Sequence, residues 1–344
     1  MRSALRRLYP PMEALSVDEI PQGEKWQYEP KWDGFRCLAF RDGAGIELQS
    51  KSGQSLTRYF PDLVTTLKAL QATRFVLDSE IVVPDGRAFS FDALLQRIHP
   101  AASRVTKLAQ ETPALFIVFD LLVDADGETL TKMPLVERRK ALESFVKKHA
   151  RGQRIIRLSP TTAKLTDAKK WLKQVGSTLD GIIAKRLDVP YQPGKRLGMQ
   201  KIKNYRSADC VVGGFRYNEG TEVVGSLLLG LYDDDGLLDH VGFTSSLKAA
   251  EKKTLTAKLK KFIGGEGFSG DKPGGPSRWS TKRSAEWQPL KPELVVEVCY
   301  DHFSGGRFRH GTRLLRWRPD KPPQQCTMSQ VTAQKKADLM KLLK

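Results

Sequence analysis

Two carboxylates interrupt an apolar segment of the chain. Residues 75–83 read F-V-L-D-S-E-I-V-V, and a Pro-Asp-Gly turn follows them, a pattern that predicts a β-strand. Because side chains alternate along a strand, Asp78 and Glu80 are predicted to lie on the same face. Two carboxylates on one face cost free energy unless a cation or hydrogen-bond donors meet them. The fold must therefore bring such partners to this strand, or leave this face exposed on an edge strand.

The segment 28–36, Y-E-P-K-W-D-G-F-R, carries a candidate nucleophile. Within six residues it places an amine, a carboxylate, a turn glycine and a guanidinium, at Lys31, Asp33, Gly34 and Arg36. A lysine is nucleophilic only when it is unprotonated, and nearby cations or desolvation favour that form. We expect Asp33 to hold the amine or a metal ion, Gly34 to let the backbone approach a ligand, and Arg36 to bind a phosphate or ribose. The alternative is a charged turn between two strands.

The charge of the chain indicates an anionic partner. Its 344 residues include 57 Lys and Arg against 39 Asp and Glu, a formal charge of +18. Because acidic residues are also abundant, we expect a folded protein with basic faces that bind phosphate backbones. An anionic membrane surface is the alternative, but no apolar run approaches the ~20 residues of a membrane span. The basic residues at the start precede no apolar signal segment, so we expect an intracellular protein.

The cysteines argue against a metal or disulfide framework. Cys37, Cys210, Cys299 and Cys326 lie far apart and form no C-x-x-C pair. Zinc and disulfides are therefore not expected, whereas reduced and buried thiols are.

Further strands and helices carry additional charged residues. We predict strands over 26–28, 35–40, 45–49, 114–123 and 180–185, and helices that begin near 61 and cover 135–149 and 166–175. The strand at 180–185 has a carboxylate, Asp180, at its start and a lysine at its end. In the extended segment 199–203, Lys201 and Lys203 point the same way. The alternative for this lysine pair is a solvated edge strand that resists aggregation.

The pattern changes near residue 205, where short strands with glycine turns begin. We predict strands over 210–215, 225–232, 238–243, 294–300 and 313–318, and one helix over 247–262. About five strands and one helix favour an OB-type barrel over a sandwich. The predicted fold class is an α/β (α+β) domain over 1–204, followed by an all-β OB-fold domain over 205–322 and a helical tail over 323–344.

Taken in order, these segments resemble the motifs of the covalent nucleotidyltransferases, specifically the ATP-dependent DNA ligases. The likeness consists of six motifs, found at 31–36, at Asp78 and Glu80, at Phe119, at Asp180 and Gly181, at Lys201 and Lys203, and at 316–321. They follow the family order from Glu29 to Lys321. The segments 9–12 and 191–196 look most like bacterial end-joining ligases, and the match is best with the small stand-alone, C-type form.

This resemblance implies an adenylating domain, an OB domain and three chemical steps. Lys31 attacks the α-phosphate of ATP and releases pyrophosphate. AMP then passes to the 5′-phosphate of a nick, and the 3′-hydroxyl finally displaces AMP. The implied cofactors are ATP and Mg²⁺, with Mn²⁺ as the alternative metal ion.

The resemblance also implies a role for each matched residue. The nucleotide-binding set is Glu29, Lys31, Arg36, Glu80, Phe119, Lys201 and Lys203. The set for phosphate and DNA is Arg36, Lys51, Arg316, Arg318, Asp320 and Lys321. The metal-binding set, with hard oxygen ligands suited to Mg²⁺, is Asp33, Asp78, Glu80 and Asp180. Phe119 would stack on adenine, Glu29 would read its amino group, and the Lys201–Lys203 pair would hold the α-phosphate and favour an uncharged nucleophile.

The chain departs from the family pattern at three places. Lys51 stands where an arginine is usual, and a lysine cannot make the two-pronged phosphate contact, which leaves recognition of the 5′-phosphate there open. Asp180 stands where a glutamate is usual and is one methylene shorter, so the metal distance changes or a bridging water is needed. Met199 and Gln200 replace an apolar pair.

Three other functions are weighed against a DNA ligase. An RNA ligase or a GTP-using capping enzyme shares the lysine motif, but the R-x-D-K ending and the residues at 9–12 favour DNA and ATP. An NAD-dependent ligase is not expected, because 30 residues before Lys31 leave no room for a nicotinamide-binding domain. From a different class, a non-catalytic basic OB-fold protein would bind nucleic acid through a basic groove, but the complete set of charged site residues argues against it.

The expected substrate is nicked double-stranded DNA, bound weakly and in a salt-sensitive manner. We expect a monomer in the bacterial cytosol with the nucleoid, with no membrane and with end-joining or repair proteins as partners. The sequence leaves open the repair pathway, the preferred metal ion and the tolerance of RNA strands at the nick.

Overall fold

The chain divides into two compact units. The computed structural model describes residues 9–174, 179–274, 286–332 and 338–343. The first unit comprises Met1–Asn204 and Lys335–Lys344, and the second comprises Tyr205–Gln334. No helix within the described residues has both the length and the apolarity of a membrane span.

The first unit is built on two sheets. Its strands are β1 (Leu15–Ser16), β2 (Trp26–Lys31), β3 (Phe35–Asp42), β4 (Gly45–Ser50), β5 (Arg74–Val82), β6 (Pro84–Asp85), β7 (Ala88–Phe89), β8 (Leu115–Val123), β9 (Ile156–Leu158), β10 (Gly181–Arg186) and β11 (Met199–Lys203). One sheet has the order β4-β3-β5-β8-β9, the other has the order β1-β11-β10-β2, and β6 pairs with β7. Neighbouring strands are antiparallel, except that β8–β9 and β1–β11 are parallel.

The carboxylate strand β5 lies in the middle of its sheet, between β3 and β8. Its two faces pack into different apolar clusters, with Leu77 and Ile81 in one cluster and Val76 and Val82 in two others. Asp78 and Glu80 therefore share the face of Val76 and Val82, as the alternation predicts. The alternative of an exposed edge strand is wrong.

Helices cover the first unit where the sequence has an apolar stripe. They are α1 (Pro61–Lys68), α2 (Phe91–Gln96), α3 (Ala102–Glu111), α4 (Leu135–His149) and α5 (Leu165–Gln174). The bounds of α4 agree with the prediction, and α5 begins one residue early, while its predicted last residue lies outside the described part. The prediction omitted α2, α3 and β9.

The second unit is an antiparallel sheet with one long helix. Its strands and helices are β12 (Arg206–Tyr217), β13 (Val224–Tyr232), β14 (Leu238–Thr244), α6 (Lys252–Lys260), β15 (Gln288–Pro289), β16 (Val295–Tyr300), β17 (Phe303–Ser304), β18 (Arg307–Phe308), β19 (Arg313–Trp317) and α7 (Ser329–Thr332). The strand order is β14-β13-β12-β16-β19, β15 pairs with β12, and β17 pairs with β18. Helix α6 is shorter than the predicted 247–262, because Lys248 is extended and a 3-10 turn follows it.

The predicted helical tail, 323–344, falls partly outside the described residues. Its described part contains a 3-10 turn at Pro323–Gln325, the four-residue α7, and a second 3-10 turn at Leu339–Leu343. Leu339 and Leu343 are buried in an apolar cluster of the first unit. The last residues therefore pack against the domain that begins the chain.

A largely buried ion pair joins three elements of the first unit. The Arg97 guanidinium, at the end of α2, donates to both carboxylate oxygens of Asp62 in α1, at 2.6 and 3.3 Å. It also donates to the carbonyl oxygens of Tyr59 and Thr112. The amide of Ala114, just before β8, donates to Asp62 at 2.8 Å. Removing the guanidinium would leave a buried carboxylate without its cation.

We expect Arg97→Met to lower the free energy of unfolding of the first unit by about 3 kcal/mol, because breaking a buried pair leaves an uncompensated charge. Urea unfolding followed by circular dichroism measures this. The matched control is Lys107→Met, which removes the exposed Lys107–Glu111 pair of α3 and is expected to change stability by less than about 0.5 kcal/mol. Equal stability of the two variants would contradict the argument.

Candidate active site

Lys31 lies at the end of β2, where three strands of the second sheet come together. Its backbone pairs with Gly181 of β10, and Gly181 pairs with Lys203 of β11. The Lys31 ammonium forms an ion pair with the carboxylate of Asp180. Gly181 has φ +142°, and a Cβ there would overlap the carbonyl oxygen of Ile202. Glycine is therefore required for β10 and β11 to approach closely at the nucleophile.

The glycine of the lysine motif, Gly34, has a structural function. A Cβ on Gly34 would overlap the carbonyl oxygen of Ile81 in β5. The glycine lets the turn between β2 and β3 lie against the carboxylate strand. The expectation that it serves the approach of a ligand is not supported, because the close neighbour is protein backbone.

The lysine pair of β11 forms a cationic cluster with Lys31. Lys201 and Lys203 are partly exposed, and Ile202 between them is buried, so the two lysines share a face as predicted. Burial lowers the pKa of Lys201, and the charges of Lys31, Lys203, Lys51 and Arg196 lower it further. The alternative of a solvated edge strand is wrong here, because β11 lies between β1 and β10.

Glu13 links two cations at the rim of this cluster. Its carboxylate accepts from the Arg196 guanidinium at 3.1 Å and lies 4.0 Å from the Lys51 ammonium. These contacts lower the pKa of Glu13. Lys51 is thus near the lysine cluster, although its side chain is 57% exposed. Neither Glu13 nor Arg196 was among the residues predicted from the sequence.

Arg36 is held by Asp78 beneath the site. The Nε and Nη2 atoms of Arg36 donate to the two oxygens of Asp78 at 2.9 and 2.7 Å. The hydroxyl of Tyr191 donates to the same carboxylate at 2.7 Å. The Arg36 guanidinium also lies over the Phe119 ring, 5.3 Å from its centroid.

These contacts change the expected role of Asp78. Both of its oxygens are engaged by Arg36 and Tyr191, and its side chain is fully buried. A metal ion would have to displace these donors to reach it. The geometry therefore does not support Asp78 as a metal ligand and makes it the residue that orients Arg36.

The remaining carboxylates lie closer to the nucleophile. Burial raises the pKa of Glu80 to about 8; the charges of Lys31 and Arg36 oppose this rise, and those of Asp33 and Asp78 add to it. Carboxylate oxygens of Asp33 and Asp180 lie within 4.8 Å of each other. Two oxygen ligands at this separation can be shared by one divalent cation.

A buried ion pair also contacts the Phe119 ring. The Lys185 ammonium is 2.8 Å from Oε1 of Glu29, which also accepts from Gln27 at 3.0 Å. It lies 4.5 Å from the centroid of the Phe119 ring. Lys185 was not predicted as a site residue. It is nevertheless a charged residue in an apolar strand, which is the feature that identified Asp78 as a candidate.

A cavity of the first unit connects these groups. Its lining includes Arg36, Asp78, Phe119, Lys185 and Tyr191. Of the predicted site residues, Arg36, Asp78 and Phe119 therefore face one space. Tyr191, like Lys185, was missed as a site residue, because only the fold brings it to Asp78.

The closing motif belongs to the second unit, where its cations are paired with carboxylates. Arg316 donates to Glu297 at 2.7 Å, and Arg318 donates to Asp320 at 2.9–3.2 Å. Arg318 also donates to Asp209, which lies 3.9 Å from the Lys321 ammonium. Arg318, Asp320 and Lys321 thus lie in one ion-pair network with Asp209, and Arg316 pairs with Glu297.

Two family models match the chain. The ATP dependent DNA ligase domain matches residues 11–203, which is more than half of the chain, and the ATP dependent DNA ligase C terminal region matches residues 220–321. The predicted fold class, a nucleotidyltransferase domain followed by an OB-fold domain, is confirmed by these matches.

Similar proteins include two stand-alone ligases. DNA ligase C2 of Mycolicibacterium smegmatis is 44% identical over 337 residues, and DNA ligase C of Mycobacterium tuberculosis is 42% identical over 336 residues, each with 93% of both chains covered. The multifunctional non-homologous end joining DNA repair protein LigD of M. tuberculosis is 31% identical over 88% of this chain, which corresponds to 37% of its own length.

A solved Lig E DNA ligase has the same fold, with a TM-score of 0.54 at 15% identity and coverage of 89% of this chain and 100% of that chain. The family matches extend over both units, and the relatives match nearly the whole chain. The chain therefore belongs to the ATP-dependent DNA ligases.

Proposed function

We propose that Lys31 is the nucleophile of this DNA ligase and carries AMP through a phosphoramidate bond. The observation that supports the assignment is the placement of Lys31 beside Asp180 and next to the lysines of β11. In the first step the Lys31 nitrogen forms a bond to the α-phosphorus of ATP, the bond to pyrophosphate breaks, and the amine loses its proton. AMP then moves to the 5′-phosphate of a nick, and the 3′-hydroxyl displaces it.

The neighbours of Lys31 suit this chemistry. Its pairing with Asp180 holds the amine in place, beside the two lysines of β11. Lys201 and Lys203 are placed to bind the α-phosphate, whose charge increases as the attack proceeds. In the free protein the positive charges of this lysine cluster repel one another. When a phosphate binds, its negative charge attracts the lysines and offsets this repulsion.

The adenine and the sugar are proposed to occupy the space beside Phe119. Phe119 would stack on the base, and Glu29 would accept a hydrogen bond from its amino group. The Lys185 ion pair fixes the Glu29 carboxylate for this contact. Arg36, oriented by Asp78, would bind a phosphate or ribose oxygen.

We place the divalent metal ion, Mg²⁺ or in its place Mn²⁺, at Asp33 and Asp180, with Glu80 as a further oxygen ligand or as the ribose contact. The close carboxylates of Asp33 and Asp180 and the raised pKa of Glu80 fit a site that a cation would stabilise. When bound, the ion would neutralise charge on the phosphates. Until then, Asp180 is paired with Lys31.

The second unit is proposed to complete the binding of pyrophosphate and DNA. Arg316, Arg318, Asp320 and Lys321 would orient the pyrophosphate, and Lys51 would bind a phosphate of the nicked duplex. We propose that the work is divided between a nucleotidyltransferase domain at 1–204 and an OB-fold domain at 205–322. The formal charge of +18 supports salt-sensitive binding to nicked double-stranded DNA.

The cellular role is proposed from the relatives and the cysteines. Similarity to LigD supports a role in end joining or repair together with proteins of those pathways. The four cysteines are free and buried, as the sequence predicted, which fits a reducing bacterial cytosol. We propose that the enzyme acts there as a monomer.

We expect Lys31→Ala to abolish the acid-labile label transferred from α-labelled ATP to the protein, to below about 1% of wild type, because no other side chain replaces the nucleophile. GTP and NAD should label neither protein. The control is Lys25→Ala, since Lys25 is 70% exposed and paired with Asp188. Label retained on Lys31→Ala would show that another residue is the nucleophile.

The metal assignment predicts different results for different carboxylates. Asp33→Asn and Asp180→Asn should each raise the Mg²⁺ concentration for half-maximal adenylation about tenfold or more. Asp78→Asn should leave that concentration within about twofold and instead raise the KM for ATP, because it releases Arg36. Titration of adenylation rates with Mg²⁺ and with ATP separates these effects. A Mg²⁺ shift in Asp78→Asn alone would restore Asp78 as a ligand.

Glu80 makes stability depend on pH in the protein without metal and nucleotide. Because its pKa is raised to about 8, the folded state retains a proton that the unfolded state loses from about pH 4.5 upward. Its stabilising contribution is complete below about pH 4.5 and is lost as pH rises through about 8. Glu80→Gln should therefore flatten the decrease of unfolding free energy between about pH 5 and pH 8, measured by urea unfolding. Parallel pH profiles of the two proteins would refute the assignment.

A further inference from the structure

Two acidic residues outside the predicted site lie in a row with the closing motif. In the backbone register, Asp209 of β12 is opposite Glu297 of β16, and Glu297 is opposite Arg316 of β19. Residues directly opposite each other in neighbouring strands present their side chains on the same face. The three side chains therefore form a continuous row across the sheet of the second unit.

Asp209 contacts two cations of the closing motif. Nη1 of Arg318 donates to Oδ1 and Oδ2 of Asp209 at 2.9 and 3.1 Å. Asp320 binds the other edge of the same guanidinium, through Nε and Nη2. The side chains of Asp209 and Arg318 are 13% and 18% exposed, whereas that of Asp320 is 64% exposed. Asp209 is thus the more buried of the two carboxylates that hold Arg318.

The backbone of Asp209 is itself fixed. Its amide donates to the side-chain oxygen of Gln330 at 3.0 Å, and its carbonyl accepts from the side-chain nitrogen of Gln330 at 3.1 Å. The pairing of β12 with β13 begins only at Val211, so Gln330 supplies the hydrogen bonds that the neighbouring strand does not. The carboxylate therefore projects from a rigid position.

We propose that Asp209 is a positioning residue for adenylation, which holds Arg318 and Lys321 in the arrangement that binds the outer phosphates of ATP. The inference rests on the proposed function of the closing motif. A free arginine or lysine side chain loses rotamer entropy when it binds a phosphate, and a carboxylate that fixes it beforehand removes this cost. A carboxylate is needed because Nη1 of Arg318 donates to both of its oxygens.

If Asp209 positions cations for ATP, it contributes to adenylation but not to sealing. A purely structural ion pair would contribute to both. Forming lysyl-AMP requires the triphosphate, whereas sealing a nick that already carries AMP on its 5′-phosphate does not. Loss of positioning should affect only the first reaction. Loss of structure should affect both.

The experiment compares Asp209→Asn with Asp209→Glu and Arg318→Ala in the full chain. We expect Asp209→Asn to raise the KM for ATP in adenylation about tenfold, to seal a pre-adenylated nick within about twofold of wild type, and to remain folded, with a cooperative urea unfolding transition like that of wild type. Asp209→Glu should recover part of the loss. The matched control is Glu222→Gln, which removes one charge from the exposed Glu222–Lys260 pair of the same unit and should behave as wild type in both assays.

Each result decides one point. Normal adenylation by Asp209→Asn beside impaired Arg318→Ala would overturn the positioning inference and leave the proposed function of the closing motif intact. Normal adenylation by Arg318→Ala would overturn both. An equal loss of adenylation and of sealing by Asp209→Asn, with lower stability, would assign the residue a structural role instead.

Discussion

The ion pair between Lys31 and Asp180 is the contact on which the arrangement of the site depends. The two residues are 149 positions apart in the chain, and the backbone pairing of β2 with β10 brings them together. That pairing continues to β11, where Gly181 allows the approach to Ile202. Lys31, Asp180 and the two lysines of β11 are thus positioned by one sheet. A displacement of β10 would move all of them together.

Charged residues below the nucleophile are held in pairs. Arg36 is bound to Asp78, and Lys185 to Glu29, each with a second hydrogen bond to the acidic partner. Replacing a buried ion pair by apolar groups can be neutral, but removing one partner is strongly destabilising. Each pair therefore fixes the orientation of a charged side chain of the candidate site.

Much of this arrangement can be predicted from local pattern, and the rest follows from tertiary contacts. Alternation along β5 predicts that Asp78 and Glu80 share a face, and the same rule holds for the lysines of β11. Alternation cannot predict that the hydroxyl of Tyr191, 113 positions from Asp78 in the chain, donates a hydrogen bond to the Asp78 carboxylate. A metal ion bound by Asp78 would need those carboxylate oxygens. The metal role of Asp78 therefore stays a prediction, and its contacts with Arg36 and Tyr191 do not favour it.

The sequence prediction omitted helix α3 for a related reason. Helix α3 buries only Val105 and Ala109, and two small apolar residues give a weak periodic signal. Lys185, in contrast, was predictable, because a lysine within an apolar strand requires a buried partner just as a carboxylate does. The useful signal is therefore a charge in an apolar strand, whatever its sign.

The two units hold the cations of their candidate sites differently, and the difference follows from the neighbouring charges. In the first unit, burial lowers the pKa of Lys201, and the charges of nearby lysines and of Arg196 lower it further. In the second unit, Arg318 is bound by two carboxylates, which raise its pKa, so its charge is already compensated. A lysine can lose its proton to escape repulsion, whereas an arginine cannot. Carboxylate partners therefore suit the arginine, whereas a lysine tolerates a position among like charges.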